Sequence, residues 1–253
     1  MFKRSMQYAA AVAVVLFGLA NFSVMAEVNL AAAGRSESDL KRDETSKPHA
    51  MLALMNVKPG AVVLDLLGGS GYFSELLTQS VGPTGKVYLH NNKAYMPYVG
   101  KDLDARLAGN RLTNVVRYDK ELDDLGLAEN SFDTVFFVMG YHDMYHVSEG
   151  WKIDPSGLMG QIKKALKPNG LMLVVDHNAA TGTGIASAQE LHRIEASYVK
   201  DELGRFGFEL VAESDVLKNP KDNTSMGVFD PSVRFHTDRF VFVVKNVKPG
   251  SAK

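Results

Sequence analysis

Runs of apolar residues alternate with helical patterns along most of this chain. Ala61–Leu66 and Phe132–Met139 are apolar almost throughout, which is typical of strands covered on both faces of a sheet. Turn residues such as Gly82-Pro83-Thr84-Gly85 separate these runs from their neighbours. The pattern predicts seven strands: Ala61–Leu66, Lys86–His90, Asn114–Tyr118, Phe132–Met139, Leu171–Val175, Phe208–Leu217 and Arg239–Val244.

Helical patterns fill the stretches between the predicted strands. Asp154 and Pro155 supply an N-cap and a first-turn proline for a helix that ends at "LKPNG", and another helix begins near Pro48. Strands that alternate with helices predict one α/β domain: a seven-stranded, mostly parallel sheet with helices on both faces and an antiparallel terminal strand pair. Further helices are predicted at Ser38–Glu44, Tyr72–Ser80, Lys101–Leu107 and Ser187–Arg205.

The first residues of the chain have the layout of a secretory signal peptide. Lys3 and Arg4 precede an uncharged stretch, Tyr8–Ala20, and Val24-Met25-Ala26 places small residues at a cleavage site. We therefore expect a periplasmic or secreted protein, with an uncleaved inner-membrane anchor as the alternative and a cytosolic protein as the third. The predicted organisation is 1–26 signal peptide, 27–47 polar segment, 48–246 domain and 247–253 tail.

The composition of the chain limits the molecules that we expect it to bind. The formal net charge of −1 provides no basic field for nucleic acid, and the absence of cysteine excludes disulfides and thiolate metal sites. We expect a small-molecule substrate, no nucleic acid, and contact with a membrane only through the N-terminal segment if it is not cleaved.

A glycine cluster follows the first predicted strand in "VLDLLGGSGYFSELL". In open α/β sheets ligands bind beyond the carboxyl ends of the strands, and Gly69 and Gly71 let backbone approach a ligand closely. Tyr72 stands where a phosphate-binding loop needs lysine, and Ser74 meets the third small position of the dinucleotide fingerprint only loosely. Asp65 at the loop entry instead suits a ligand that carries an amino group and a sulfonium.

These residues, with "NSFDTVFFV" and "ALKPNGLMLVVD", resemble the class I S-adenosylmethionine-dependent methyltransferases from about Pro48 to Val244. More narrowly, "GGSGYFSELL", "GYHDMYH", "VVDH" and "LHRI" are similar to a group of predicted exported bacterial methyltransferases. The resemblance implies a Rossmann-like fold, S-adenosylmethionine as cofactor and methyl transfer to a small acceptor. Because that cofactor is made in the cytosol, a non-catalytic periplasmic binding protein on the same fold is the alternative.

The resemblance also implies a set of cofactor-binding residues. Leu67 replaces the first glycine of the family loop, and Asn91 stands where a carboxylate usually holds the ribose hydroxyls. Glu121 lies where an acid often meets the adenine amino group, with Asp119 and Asp123 as the alternatives. A solvated acidic loop explains all three acids equally well. The cofactor-binding residues expected on this basis are Asp65, Gly68, Gly69, Gly71, Tyr72, Asn91 and Glu121.

Histidines and acids collect after the fourth and fifth predicted strands and on the helix that follows. Neutral imidazole beside carboxylate at a strand-end crevice is what proton removal requires, so His142 or His177 is a candidate general base. A divalent metal held by His142, Asp143, His146, Asp176 or His177 is the alternative. Because imidazole prefers zinc, iron or nickel to magnesium, we favour the general base and assign no metal ligand. The predicted catalytic residues are His142, Asp143, His146, Asp176, His177 and His192.

Overall fold

The structure is a computed structural model that describes residues 28–247. The predicted signal peptide, 1–26, and all but the first residue of the predicted tail, 247–253, lie outside the described residues. Across 28–247, none of the helices is long and apolar enough to cross a membrane.

Within this part of the chain, helices and strands alternate as the sequence predicts. The helices are α1 Glu37–Ser46, α2 Pro48–Met55, α3 Tyr72–Val81, α4 Met96–Leu107, α5 Pro155–Ala165, α6 Ala188–Leu191 and α7 Ala196–Arg205. The strands are β1 Val62–Leu66, β2 Lys86–Asn91, β3 Val115–Asp119, β4 Phe132–Val138, β5 Leu166–His177, β6 Phe208–Ser214 and β7 Arg239–Asn246. Short 3₁₀ turns cover Ala108–Asn110 and His142–Met144.

The strands form one seven-stranded sheet in the order β3-β2-β1-β4-β5-β7-β6. Strands β1 to β5 run parallel, while β7 pairs antiparallel with both β5 and β6. The predicted fold class, including the antiparallel terminal pair, is confirmed. Because β1, β4 and β5 are neighbours, the loops that follow them meet at one edge of the sheet.

Two hydrophobic cores sandwich the sheet. On one face, α5 and α7 contribute Leu158, Ile162 and Leu203 to a cluster with Leu64 and Phe137. On the other face, α2 and α3 contribute buried side chains that pack against Val63, Phe136 and Val243. Alternate residues of β1 and β4 therefore contribute to opposite cores, which explains why both strands are apolar almost throughout.

The predicted helix Ser187–Arg205 is wrong in its middle. α6 ends at Leu191, His192 adopts a left-handed conformation with φ +52°, and α7 begins only at Ala196. Between them, Ile194 forms a parallel bridge with Asn178 just beyond β5. The apolar spacing favours a continuous helix, but pairing of this segment with the end of β5 interrupts it.

The polar segment before the sheet is folded onto it. Asp39 and Arg106 form an ion pair at 2.8 Å, with both side chains 7% exposed, and Arg239 donates to the Thr45 carbonyl at 2.6 Å. Ser36 caps α1 by accepting from the backbone N–H of Asp39 at 3.1 Å. The short helix predicted here is present; a buried ion pair joins it to α4, and the bond from Arg239 joins it to the start of β7.

A buried arginine fixes the long β6–β7 loop to the end of β5. Arg193 and Asp222 pair through two bonds of 2.7 and 3.1 Å, and both side chains are fully buried. Arg193 also donates to the carbonyls of Met226 and Asn178 at 2.8 and 3.0 Å. The loop that overhangs the sheet edge is therefore held by one paired charge.

We expect Asp222→Asn to lower the free energy of unfolding by about 3–5 kcal/mol, because it leaves the Arg193 charge buried without a counter-charge. Urea denaturation measures the change. The matched control is Glu37→Gln, which breaks a pair with Lys41 whose side chains are 75–83% exposed, and which should cost less than about 1 kcal/mol. Equal small losses in both variants would show that the buried pair does not hold the loop.

Candidate active site at the carboxyl edge of the sheet

The turn after β1, residues 67–71 (the glycine turn), is held by β2. The backbone N–H of Gly68 donates to the His90 carbonyl at 2.9 Å, and that of Leu67 to His90 Nδ1 at 3.3 Å. His90 Nε2 then donates to the Lys120 carbonyl at 3.0 Å, so one buried imidazole joins the loops after β1 and β3. Burial lowers the pKa of His90 to about 4, which keeps it neutral in this role.

Three of the predicted cofactor residues shape the inside of this turn. Asp65 is buried, and its Oδ2 accepts from the Ser74 hydroxyl at 2.7 Å. A Cβ on Gly68 would lie 2.7 Å from that oxygen, and one on Gly71 would lie 2.5 Å from Leu89 Cδ1. Burial raises the pKa of Asp65 to about 6, although the hydrogen bond from Ser74 acts to lower it. Gly68 and Gly71 are therefore needed for packing of the turn itself.

Gly69 is less crowded, because an added Cβ would make only ordinary van der Waals contacts. Its φ is +61°, and the nearest atoms to an added Cβ are Val99 Cγ1 at 3.7 Å and Tyr95 Oη at 3.8 Å. Leu67 also takes a left-handed conformation, with φ +51°, where the family loop has glycine. The turn keeps its shape at the cost of backbone strain at Leu67, and Gly69 leaves room for a ligand.

The remaining cofactor residues lie around this turn with partners of their own. Asn91 is fully buried, and its side-chain amide accepts from Gly69 N–H at 3.0 Å and donates to the Gly69 carbonyl at 2.9 Å. Glu121 is exposed and accepts from the Lys93 N–H at 3.1 Å. The Tyr72 hydroxyl donates to Asp43 of α1 at 2.7 Å. Asn91 thus supports the turn, and the ribose and adenine contacts stay predictions.

Beyond β4 and β5 the structure brings the six predicted catalytic residues together in one cluster, called the rim below. His142 lies at its centre, with Nδ1 2.8 Å from Asp176 Oδ1 and Nε2 3.2 Å from Asp143 Oδ1. Burial disfavours a charge on this ring, but Asp176 and Asp143 outweigh it and raise the pKa of His142 to about 10. Because both ring nitrogens face carboxylates, His142 is protonated here, which disfavours it as a general base.

His177 lies beside His142, with their ring centroids 6.0 Å apart. Its Nδ1 is 2.7 Å from the Thr237 hydroxyl, while its backbone N–H donates to Asp176 at 2.7 Å. Burial, together with the positive charge of His142, keeps the pKa of His177 well below its usual value. His177 is therefore a neutral imidazole, the form that accepts a proton, although burial and the charge of His142 make it a weaker base than imidazole in water.

The other two histidines complete the rim. His146 and His192 stack with centroids 4.8 Å apart, and His192 meets the His142 ring edge-on at 5.4 Å. His192 lies in the break between α6 and α7, so the expectation that a helix carries it is wrong, although its place at this edge is as predicted. The catalytic roles of the six residues stay predictions.

Residues 57–218 match a protein family described as "Methyltransferase domain". The chain belongs to this methyltransferase family.

Individual relatives agree with the family. The ubiquinone/menaquinone biosynthesis C-methyltransferase UbiE of Legionella pneumophila is 28% identical over 189 residues, 74% of this chain and 65% of that protein. The protein of the same description from Pseudomonas aeruginosa is 30% identical over 201 residues, 79% of this chain and 68% of that protein. The methyltransferase chain thus spans less than two thirds of the Legionella relative.

Among solved structures, a SAM-dependent methyltransferase from Aquifex aeolicus superposes with a TM-score of 0.59 at 19% identity. The superposition covers 82% of this chain and 93% of that one. This likeness establishes the shared fold.

Several residues of this methyltransferase domain lie at the site but are not among the predicted site residues. Arg42 of α1 lies 4.2 Å above the Tyr72 ring. Burial, and after it the charge of Arg42, lowers the pKa of Arg239 at the start of β7 to about 10. Burial raises the pKa of Tyr95, and Asp143 of the rim and Asp65 of the glycine turn both add to this shift. Tyr95 Oη lies 3.8 Å from a Cβ added at Gly69, and its ring packs on Trp151, which donates to the Asp143 carbonyl, so Tyr95 lies between the two halves of the site. Thr237 could have been found from its place in the sequence, because it lies two residues before β7, whose first residue, Arg239, pairs with His177.

A second polar group supports the rim of the methyltransferase domain from behind. Glu202 of α7 is buried and accepts from the hydroxyls of Tyr141 at 2.8 Å and Tyr198 at 2.9 Å, and also from Tyr145. Tyr141 and Tyr145 flank the 3₁₀ turn that carries His142 and Asp143. The turn is thus positioned from both sides, by Asp176 in front and Glu202 behind.

Proposed function

We propose that this protein is an exported methyltransferase that transfers a methyl group from S-adenosylmethionine to a small-molecule acceptor. The observation that carries the proposal is the meeting of the glycine turn and the rim at the ends of the adjacent strands β1, β4 and β5. A Cβ added to Gly140, in the loop after β4, would lie 3.4 Å from Leu67 Cδ1, so the two loops lie side by side. A donor on the turn and an acceptor on the rim would be neighbours.

The chemistry needs little from the protein beyond alignment. The sulfonium of the cofactor is already an activated methyl donor, so the protein must place acceptor, methyl carbon and sulfur in line. Asp65 and Gly69 are the residues that would hold the cofactor, the first through its carboxylate and the second by its missing side chain. When the acceptor is a hydroxyl, neutral His177 takes its proton as the methyl group is transferred.

The surroundings of the rim support an acceptor with an apolar part. Val147, the residue after His146 of the rim, is 58% exposed. Phe229 is 65% exposed, and the centroid of its ring lies 5.0 Å from that of His192. Large apolar side chains left in solvent beside a polar cluster are typical of ligand-binding surfaces. The acceptor we infer carries a hydroxyl toward His177 and an apolar body toward Phe229.

Calorimetry of the purified protein with S-adenosylmethionine and, separately, with NAD tests the cofactor. We expect one S-adenosylmethionine per chain and no heat from NAD, because the dinucleotide fingerprint is incomplete. Binding of NAD alone would overturn the methyltransferase proposal.

A non-catalytic binding protein is the second candidate. Asn91 favours it, because the amide that would replace the ribose-binding carboxylate is already bonded on both sides to Gly69. In that case the protein would bind S-adenosylmethionine weakly or not at all and would still bind an acceptor-like compound at the rim. Formation of S-adenosylhomocysteine by the purified protein excludes this candidate.

Export has its own test. We expect protein recovered from the periplasm of a Gram-negative host to begin at Glu27, because Val24-Met25-Ala26 fits the signal peptidase. Intact-mass spectrometry of the purified protein measures this directly. Residues 1–26 still present in protein from the membrane fraction would favour the anchored form.

A further inference from the structure

We propose that the rim binds one divalent transition-metal ion through His142, Asp143 and His192. Among the described residues, one potential ligand atom from each of the three lies within 4.8 Å of those from the other two. Asp143 Oδ1 is at the centre, 3.2 Å from His142 Nε2 and 3.8 Å from His192 Nδ1. Two imidazoles and one carboxylate are a recurring ligand set for such ions.

The distances suit an ion after a small movement. Metal–ligand bonds of about 2.0–2.2 Å bring the ligand atoms of one ion to about 3–4 Å from one another. Asp143 already meets this spacing with both histidines. His192 is the most exposed of the three side chains, at 24%, and lies in the irregular segment between α6 and α7. Its ring is the one that can move inward without disturbing the core.

The surrounding hydrogen bonds are those that a metal-binding histidine requires. Asp176 is completely buried, and its Oδ1 accepts from His142 Nδ1 at 2.8 Å. Its Oδ2 accepts from the His142 backbone N–H at 2.8 Å, so the carboxylate cannot rotate away. With Nδ1 engaged by Asp176, Nε2 is the nitrogen that faces Asp143 and the space beside His192. A carboxylate behind a histidine in this way orients the ring and increases its basicity as a ligand.

The charges also fit a divalent cation. Asp143 and Asp176 place two negative charges beside one buried imidazole ring, whose single positive charge offsets only one of them. A divalent ion bound to neutral His142 and His192 offsets both carboxylates. When the ion binds, the proton on His142 Nε2 leaves to solvent and the nitrogen lone pair forms the bond to the metal.

The ligand set indicates the kind of ion and its use. Imidazole suits zinc, iron, copper and nickel, whereas magnesium prefers oxygen ligands alone. Three protein ligands leave at least one coordination position open. Resting on the proposed function, we infer that an acceptor oxygen takes this position, close to His177. The ion would then bind and orient the acceptor, a role that neither the cofactor loop nor His177 supplies.

Metal binding is measured directly on the full chain. The protein is purified, treated with EDTA, dialysed, and titrated with Zn²⁺ in a calorimeter, with Mg²⁺ in a parallel titration. We expect one Zn²⁺ per chain and no response to Mg²⁺. His192→Ala and the isosteric Asp143→Asn should each weaken Zn²⁺ binding about 100-fold or more, and Asp176→Asn about 10–100-fold. The matched control is His236→Ala, an exposed histidine outside the rim that should leave binding unchanged.

Two readouts keep the result interpretable. Visible absorption of the Co²⁺-loaded protein should show a bound, low-symmetry ion that is lost in Asp143→Asn, and circular dichroism establishes that each variant is folded. The same samples are titrated with S-adenosylmethionine. A protein that binds S-adenosylmethionine but no Zn²⁺ overturns the metal site alone, whereas one that binds Zn²⁺ but not S-adenosylmethionine overturns the proposed function alone. Zn²⁺ binding that survives His192→Ala also overturns the site.

Discussion

The Gly69→Val variant should fold and should no longer bind S-adenosylmethionine. Gly69 has φ +61°, and the space in front of it reaches 3.7 Å to Val99 and 3.8 Å to the Tyr95 hydroxyl. A branched side chain there would take up the space through which the backbone of the glycine turn would approach the cofactor. We expect a loss of at least about 100-fold in affinity, equivalent to about 2.7 kcal/mol, measured by calorimetry.

Backbone strain alone could mimic this result, and the chain offers a control for it. Gly109 has φ +66° with nothing within 4 Å of an added Cβ, so Gly109→Val introduces the same left-handed strain away from the site. Both variants should lose about 1–2 kcal/mol of stability, while only Gly69→Val loses binding. Equal affinity in the two variants would mean that the glycine turn does not contact the cofactor.

Replacement of His177 by alanine should lower turnover about 10²–10⁴-fold, the usual contribution of a general base. The affinity for S-adenosylmethionine should stay within about twofold, because His177 is the last residue of β5 whereas the cofactor turn follows β1. S-adenosylhomocysteine formed with an acceptor that the wild-type protein methylates measures turnover. Extra cofactor should not restore it.

A second variant separates the base from its support. Thr237→Val removes the hydroxyl 2.7 Å from His177 Nδ1 but keeps the side-chain shape, so we expect a smaller loss of turnover than in His177→Ala. His236→Ala, next to Thr237 but exposed, serves as the control and should retain full turnover. If His177→Ala and His236→Ala have the same turnover, His177 is not the base.

The order of the helices and strands could be predicted because each element has a pattern within its own short segment of sequence. Phe132–Val138 and Val62–Leu66 are apolar on both faces since each contributes alternate side chains to two cores. The residues after β4 and β5 could likewise be placed at one edge from the parallel connection alone. Fold class and the meeting of the rim residues depend only on such rules.

What escaped the sequence depends on contacts between distant segments. The spacing of Leu191 and Ile194 matches a helix, yet the bridge from Ile194 to Asn178 lies outside that local pattern. In the sequence nothing indicates that Asn91 has a partner within the chain, whereas in the structure its side-chain amide is bonded to the Gly69 backbone. Arg239 is close to Thr45 although 194 positions separate them. Such pairings are set by tertiary packing, which a single sequence does not record.

The reversed direction of β7 determines where the chain can be attached to other molecules. β7 begins at Arg239, opposite His177, and ends at Asn246, beyond Leu171 at the other edge of the sheet. Eight strand residues rise about 27 Å. A fluorescent fusion or a surface tether joined after β7 would therefore be held away from the rim. By contrast, α1 lies at the same edge as the rim, so a label on this helix would report on events there.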